Sequence, residues 1–308
     1  MTVAVVQAGT PLFDTEHTLE KVRKYCREAA QQGAALVVFP EAFLGGYPKG
    51  LSFGAHVGSR TDEGREEFRR YYEAAVEERS EEVAQLSKIT AEHGVELVIG
   101  LVERDAGTLY CSVFFFGPDG RLQGKHRKLM PTGLERLIWG QGDGSTMPVI
   151  QIADGVIGAA ICWENYMPLF RTAMYAKGVS LWCAPTVDDR ESWQATMQHI
   201  AIEGRCFVLS ACQYLLRSDC PADYRPVQGN EPETVLIKGG SVIVSPMGKV
   251  LAGPLRDGEG ILTAELDLGE VARGKFDLDT VGHYARPDVF TLSVNERANF
   301  AVRFGNEE

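Results

Sequence analysis

The sequence predicts an α/β fold, an α-β-β-α four-layer sandwich in which two packed mixed sheets lie between outer layers of helices. Three observations carry this prediction. Short apolar runs alternate with segments of helical period along most of the chain. Some runs, such as Ala35-Leu-Val-Val-Phe39, are apolar at every position, as strands buried on both faces are. Turn signals at Pro118-Asp-Gly120, Asp154-Gly155 and Pro246-Met-Gly248 join neighbouring runs into hairpins, so antiparallel pairs are mixed with crossovers.

Residues 3–8 read as a first strand. Asp14 or Thr15 caps a helix to about residue 32, with Leu19, Val22, Cys26 and Ala29 or Ala30 on one face, and Gly33 ends it. The run 35–39 is a strand stopped by Pro40, and Glu41 follows directly. Residues 51–64 look irregular. Residues 66–93 read as one long helix ended by Gly94, with Phe68, Tyr72, Val76, Val83, Leu86 and Ile89 on its apolar face. Strands follow at 95–102 and 109–116, and a returning strand at 121–127 leads to Lys128. Residues 129–147 form a loop with a short helix at 134–138; its Gly140-Gln-Gly-Asp-Gly144 follows no strand-to-helix pattern and reads as loop. A hairpin of 149–152 and 156–162 precedes a helix at 167–177 and a strand at 180–184. A helix at 191–203 and a strand at 206–212 come next, then a polar insertion at 215–233. The runs 235–244 and 249–252 form a last hairpin, with a strand at 260–266, a short helix near 268–275 and an irregular tail.

A length of 308 residues permits one large α/β domain or two ordinary ones. No linker-like shift in composition and no fixed-period repeat divides it, so one domain over 1–308 is expected, with a C-terminal tail from about 289. A formal net charge of −11 argues against nucleic acid or an anionic membrane as the main partner. Lys125-His-Arg-Lys128 is nonetheless a candidate local basic pocket. No apolar run approaches the ~20 residues of a membrane span, and the N-terminus reads as a strand rather than a signal peptide. The seven cysteines are odd in number and no pair has Cys-x-x-Cys spacing, which disfavours a disulfide framework and a zinc site. Reduced thiols in a cytoplasmic protein are expected.

One of those cysteines stands apart. The apolar run 156–161 breaks off at Cys162, and a helical segment begins soon after. Chemistry in α/β folds gathers at the ends of strands, and a thiol near a helix N-terminus can have its pKa lowered. Taken alone, Cys162 reads as a buried core cysteine. Two charged residues share its strand-end position: Glu41 after the second strand and Lys128 after the strand of 121–127. Alone, each reads as a solvated loop charge. Together they make a nucleophilic site, with a carboxylate to take the thiol proton and an ammonium to hold developing negative charge. Among the histidines His126, beside Lys128, is the best candidate for a supporting role, whereas His199 reads as a packed helix residue and His17 and His93 as surface residues.

Around these residues Phe39-Pro-Glu-Ala-Phe43, His126-Arg-Lys-Leu-Met-Pro-Thr132 and Cys162-Trp-Glu-Asn165 resemble the three catalytic motifs of the nitrilase superfamily. The segments 134–145, Gly45-Gly-Tyr-Pro-Lys49, His199-Ile-Ala-Ile-Glu-Gly204 and Val281-Gly-His-Tyr-Ala-Arg-Pro-Asp288 resemble its true nitrilase branch, and the likeness runs from residue 3 to about 295. The resemblance implies Glu41 as general base, Lys128 as catalytic ammonium, Cys162 as nucleophile and Glu135 as a second glutamate that supports the lysine and orients substrate. It further implies that Tyr47 and Trp139 line the substrate pocket, and that the Trp163 backbone N–H helps to hold developing charge. The implied reaction converts a nitrile and water to a carboxylic acid and ammonia through a cysteine thioimidate and thioester, without metal or cofactor. Aromatic or arylaliphatic nitriles are the first expectation from the Cys-Trp-Glu-Asn-Tyr-Met-Pro form.

An amidase or an amide-forming nitrile or cyanide hydratase is the nearest alternative. A non-catalytic assembly protein on the same fold is a further one, which the presence of Glu41, Lys128, Glu135 and Cys162 disfavours. The resemblance to nitrilases also implies a homodimer or a longer helical assembly. The segments 51–64 and 215–233 are candidate interface insertions, and the short stretch after Asp288 argues for a dimer rather than an extended filament.

Overall fold

The computed structural model describes residues 1–302 and 305. The last part of the tail expected from about 289 (303, 304 and 306–308) lies outside the described residues. In chain order the elements are β1 (Thr2–Gln7), α1 (Thr15–Gln31), β2 (Leu36–Val38), α2 (Asp62–Ala74), α3 (Glu81–His93), β3 (Glu96–Asp105), β4 (Thr108–Phe116) and β5 (Leu122–Arg127). The second half contains β6 (Ile150–Ile152), β7 (Gly155–Ala159), α4 (Pro168–Ala176), β8 (Leu181–Thr186), α5 (Glu191–Gly204) and β9 (Phe207–Cys212). It continues with β10 (Tyr214–Leu216), β11 (Val235–Lys238), β12 (Val242–Val244), β13 (Val250–Ala252), β14 (Gly260–Glu265) and α6 (Gly269–Gly274).

Two six-stranded mixed sheets result, in the orders β14-β1-β2-β3-β4-β5 and β13-β12-β9-β8-β7-β6. Alternation along each strand decides which layer a side chain joins. Val3, Val5, Leu36, Val38 and Val98 of the first sheet pack against Leu181, Cys183, Phe207 and Leu209 of the second. The intervening positions Ala4, Val6, Val37 and Leu97 face outward onto Leu19, Val22 and Cys26 of α1 and Leu86 and Ile89 of α3. On the other side, Trp182, Ala184 and Val208 face Phe170 and Met174 of α4 and Trp193 and Met197 of α5. The order of layers is therefore helix, sheet, sheet, helix, as expected.

Two elements differ from the expectation. The single helix of 66–93 is two helices, α2 and α3. Between them Val76 is extended: its N–H donates to the Val102 carbonyl at 2.9 Å, and its own carbonyl accepts from Arg104 at 2.8 Å. Buried Val76 thus gains sheet-like hydrogen bonds to the end of β3 in place of helical ones. α2 also begins earlier than expected, because Thr61 caps it through its hydroxyl and the Gly64 N–H at 3.0 Å. Likewise, the run 235–244 is not one strand. β11 pairs with β10 outside the main sheets, while β12 joins the second sheet. Gly239 and Gly240, at φ +78° and +117°, make the break, a conformation that few other residues adopt. The Gln7 side chain holds the break by accepting the Gly240 and Ser241 N–H groups.

Two local readings are also corrected. The candidate basic pocket at Lys125-His-Arg-Lys128 is not basic. Lys125 is paired with Glu78 and Glu103, Arg127 with Glu103 and Asp105, and Lys128 with Glu41 and Glu135. His199 is exposed on α5 rather than packed.

Candidate active site

β2 and β5 both run parallel to β3 and end on the same edge of the first sheet. Pro40 and Glu41 follow β2, and Ala42, at φ +47°, turns the chain across the edge. The turn lies so close to β3 that a Cβ added at Gly100 would strike the Pro40 carbonyl oxygen. Gln213, just past β9 of the other sheet, donates from Nε2 to the Glu41 carbonyl oxygen at 2.8 Å. Lys128 comes directly after β5, and its N–H continues the ladder to the Cys111 carbonyl at 2.8 Å.

Cys162 comes from the second sheet, but not at the end of a strand as expected. β7 stops at Ala159, and Cys162 opens a 3-10 turn, Cys162–Tyr166, with φ +49°. That left-handed conformation is unusual for a non-glycine residue and lifts the thiol out of the line of the strand. Asn165 holds the turn: its Nδ2 donates to the carbonyls of Ala160 and Cys162 at 2.9 and 2.8 Å, while its Oδ1 accepts from buried Trp182 Nε1. Helix α4 starts only at Pro168, a residue suited to the first helical position. Cys162 is therefore not at a helix N-terminus.

The four expected catalytic positions meet between the sheets. Lys128 Nζ donates to Glu41 Oε1 at 2.6 Å and to Glu135 Oε2 at 2.8 Å. Cys162, at 4% exposure, lies against Glu41 and near Lys128, and the Thr186 hydroxyl donates to its sulfur at 3.2 Å. The second oxygen of Glu41, Oε2, is buried without a hydrogen-bond partner. Glu135 sits on a 3-10 turn, Gly133–Leu137, where the Thr132 N–H donates to its Oε2 at 2.6 Å and the Tyr47 hydroxyl to its Oε1 at 2.7 Å.

Charge states follow from this packing. Burial pushes the Cys162 thiol up, and the neighbouring Glu41 carboxylate adds to the rise against the pull of Lys128. This reverses the expectation of a depressed thiol pKa, because desolvation outweighs the one cation and the helix dipole is absent. Burial likewise raises Glu41 above the usual carboxylate range, with Lys128 opposing it. Burial by itself disfavours the Lys128 ammonium, but Glu41, Cys162, Cys111 and Glu135 together hold its pKa well above that of a free lysine. The thiol rests protonated next to both the Glu41 carboxylate, which has a free lone pair, and the Lys128 ammonium hydrogen-bonded to it. That arrangement suits proton removal at the moment of nucleophilic attack.

The cleft over Cys162 has a volume of about 280 Å³ and is lined by Tyr47, Thr132, Glu135, Trp163, Val187 and Arg190, among others. Trp163 Nε1 donates to Asp188 Oδ2 at 2.9 Å, and Arg190 lies over its ring while pairing with Asp188. Tyr47 meets Trp139 edge to face at 5.8 Å. Trp139 lies under Lys128, 5.7 Å from Nζ, and lines an adjoining recess of about 340 Å³ rather than the cleft over the thiol. Thr186, Gln213, Asn165 and Asp188 were not singled out from the sequence. Thr186, Asp188 and Gln213 reach the site from 24 to 172 residues away in the chain, and only the Cys162-Trp-Glu-Asn165 segment offered a signal, for Asn165. Among the described residues no group of three or more His, Cys, Asp or Glu side chains is arranged to hold a metal ion.

A family model described as carbon-nitrogen hydrolase matches residues 2–276. An aliphatic nitrilase of Sinorhizobium fredii is 58% identical, over 97% of both chains. Nitrilase 2 of Arabidopsis thaliana is 56% identical over 97% of this chain and 90% of its own. A bifunctional nitrilase/nitrile hydratase of Lupinus angustifolius is 56% identical over 97% and 87%. Among solved structures, an amidase from Nesterenkonia sp. superposes with a TM-score of 0.68, covering 90% of this chain and 95% of its own at 20% identity, a likeness of fold.

Proposed function

The chain belongs to the carbon-nitrogen hydrolase family, and from that membership we propose that it works as a nitrilase, hydrolysing an organic nitrile to the carboxylic acid and ammonia through a covalent cysteine intermediate. The observation that carries this reading is the cluster of buried Cys162, Glu41 and Lys128 with half-buried Glu135. A nitrile carbon is a weak electrophile that needs a polarisable nucleophile. Glu41 takes the thiol proton as sulfur bonds to that carbon, and the proton passes to the nitrile nitrogen to give a thioimidate. Lys128 stabilises the negative charge developing on that nitrogen, an effect on the order of 10²–10³ in rate for one preorganised donor. Glu135 and its Tyr47 and Thr132 partners hold the ammonium in place. Glu41 then draws a proton from water, which adds to the thioimidate carbon. Loss of ammonia leaves a thioester, and a second water releases the acid and regenerates the thiol.

The same tetrahedral intermediate yields an amide if sulfur leaves before ammonia. The bifunctional name of the lupin relative supports amide as a second product. The apolar lining of the adjoining recess, with Leu51, Phe53, Leu134, Ile138 and Val227, supports a substrate with an apolar substituent. The test is a panel of aliphatic, arylaliphatic and aromatic nitriles, with acid, amide and ammonia all quantified. Acid and ammonia in equal amounts from at least one nitrile is the expected result. Turnover of amides alone would replace this reading with an amidase.

A homodimer or larger homo-oligomer completes the proposal. Leu169, Phe276 and Phe290 are 68, 89 and 77% exposed, apolar surface that a second copy of the chain would cover. Sedimentation velocity is expected to give a species of at least two chains, and a monomer at micromolar concentration would end this part of the reading.

A further inference from the structure

Directly behind the reacting groups lies a buried polar pair that the proposed chemistry does not use. Glu164 and His126 are each 1% exposed. Glu164 Oε1 accepts the N–H of Leu129, the residue after Lys128, at 2.7 Å. Its Oε2 accepts the N–H of Ile161, the residue before Cys162, also at 2.7 Å, and faces His126 Nε2 at 2.9 Å. One carboxylate therefore spans the two chain segments that deliver the ammonium and the thiol. β5 and β7 belong to different sheets, so sheet pairing does not set the distance between those segments.

The protonation of the ring follows from its two partners. His126 Nδ1 lies 2.6 Å from the Thr146 carbonyl oxygen, which can only accept, so Nδ1 carries a proton. Nε2 faces a carboxylate whose oxygens already take two backbone amides, so Nε2 also donates. The other groups around the ring are Phe170 of α4, at 5.5 Å between centroids, and Lys177 just after α4, whose Nζ is held by the Met147 carbonyl and by Glu296. Burial and Lys177 work against the imidazolium, whereas Glu164 and the Thr146 carbonyl favour it and prevail.

We propose that His126 and Glu164 form a buried imidazolium–carboxylate pair that positions Cys162 relative to Lys128. Both act as positioning residues; neither touches substrate. The proposal rests on the reading of Cys162 and Lys128 as the reacting groups. It predicts that losing the pair slows the chemical step and leaves substrate binding largely intact, because a displacement of ~1 Å between reacting groups can cost on the order of 10²-fold in rate.

The test has two arms. In the wild-type protein labelled with ¹⁵N-histidine, and with His126→Asn to assign the signal, NMR at neutral pH is expected to show both ring nitrogens of His126 protonated. A neutral ring would overturn the proposal whatever the activity. In the second arm, Glu164→Gln keeps the shape but puts an amide N–H against a backbone or ring N–H, and His126→Asn removes the ring. Each is expected to lower kcat about 100-fold with KM changed less than about threefold, and Glu164→Asp to recover part of kcat. If a folded Glu164→Gln or His126→Asn retains kcat within about threefold of wild type, the positioning role is wrong. If neither variant folds, the ring measurement on the wild type decides, with the His126 signal assigned by elimination through substitution of His17, His56, His93, His199 and His283 in turn. A failure of the underlying catalytic reading is separately visible as activity retained in Cys162→Ala.

Discussion

Cys162→Ala is expected to lose at least about 10⁴-fold in nitrile turnover, the scale seen when a covalent nucleophile is removed from a hydrolase. Its stability is expected to stay within ~1 kcal/mol of wild type, because one small buried atom is lost and no charge is uncovered. The Thr186 hydroxyl loses its sulfur acceptor, but the Asn165, Trp182 and Glu164 contacts that shape the turn stay in place. Loss of activity without loss of fold separates a nucleophile from a structural thiol. Rapid quenching of wild type with a slow nitrile should show the chain gaining the mass of the acyl or imidoyl group, and Cys162→Ala should show no such gain. Cys162→Ser is expected to be nearly as inactive. The site raises the pKa even of a thiol, so a serine hydroxyl, a weaker acid still, has no route to ionisation beside the same carboxylate. Turnover by either variant at the wild-type rate would remove Cys162 from the mechanism.

Lys128→Met should damage both fold and chemistry. The ammonium has no exposed surface and is shared between Glu41 at 2.6 Å and Glu135 at 2.8 Å. Removing it leaves a fully buried carboxylate without its cation, a loss of about 3–5 kcal/mol. Without the cation, the pKa of Glu41, already raised by burial, rises further. The sign for stability follows. A carboxyl whose folded pKa exceeds its unfolded value of ~4.3 binds its proton more tightly when folded, so stability falls as pH rises through that window. The deficit of Lys128→Met is therefore smaller at pH 5 than at pH 8, which urea denaturation at the two values measures. The sign for catalysis is the same. With Glu41 as the proposed base, active as the carboxylate, the acid limb of kcat/KM is expected above the ordinary glutamate range in wild type and at still higher pH in whatever activity Lys128→Met retains. Equal stability to wild type at both pH values would mean that Lys128 does not balance the buried carboxylates.

The layers of the fold were legible because burial leaves a periodic record. Val3 and Val5 against Ala4 and Val6 assign inner and outer faces to β1, and the fully apolar 35–39 run announces a strand covered on both sides. The breaks at Val76 and at Gly239–Gly240 were not legible. Val76 fits an apolar helical face as well as it fits a sheet edge, and only the exposed backbone at the end of β3 decides between them. The two glycines look like any turn until Gln7, over 230 residues away, is seen to accept their neighbouring amides.

The sequence by itself determined the alternation of buried strands and amphipathic helices, the residue types of the site and the family likeness of the segments around Glu41, Lys128 and Cys162. Those features are local: each is written in side-chain chemistry at adjacent or periodic positions. Only the tertiary structure decided that the thiol sits on a left-handed turn rather than at a strand end or helix start, that it rests protonated, and that Glu164 joins the two segments beside it. These depend on desolvation and on hydrogen bonds between segments as far as 172 residues apart, quantities that exist only once the two sheets have closed on each other.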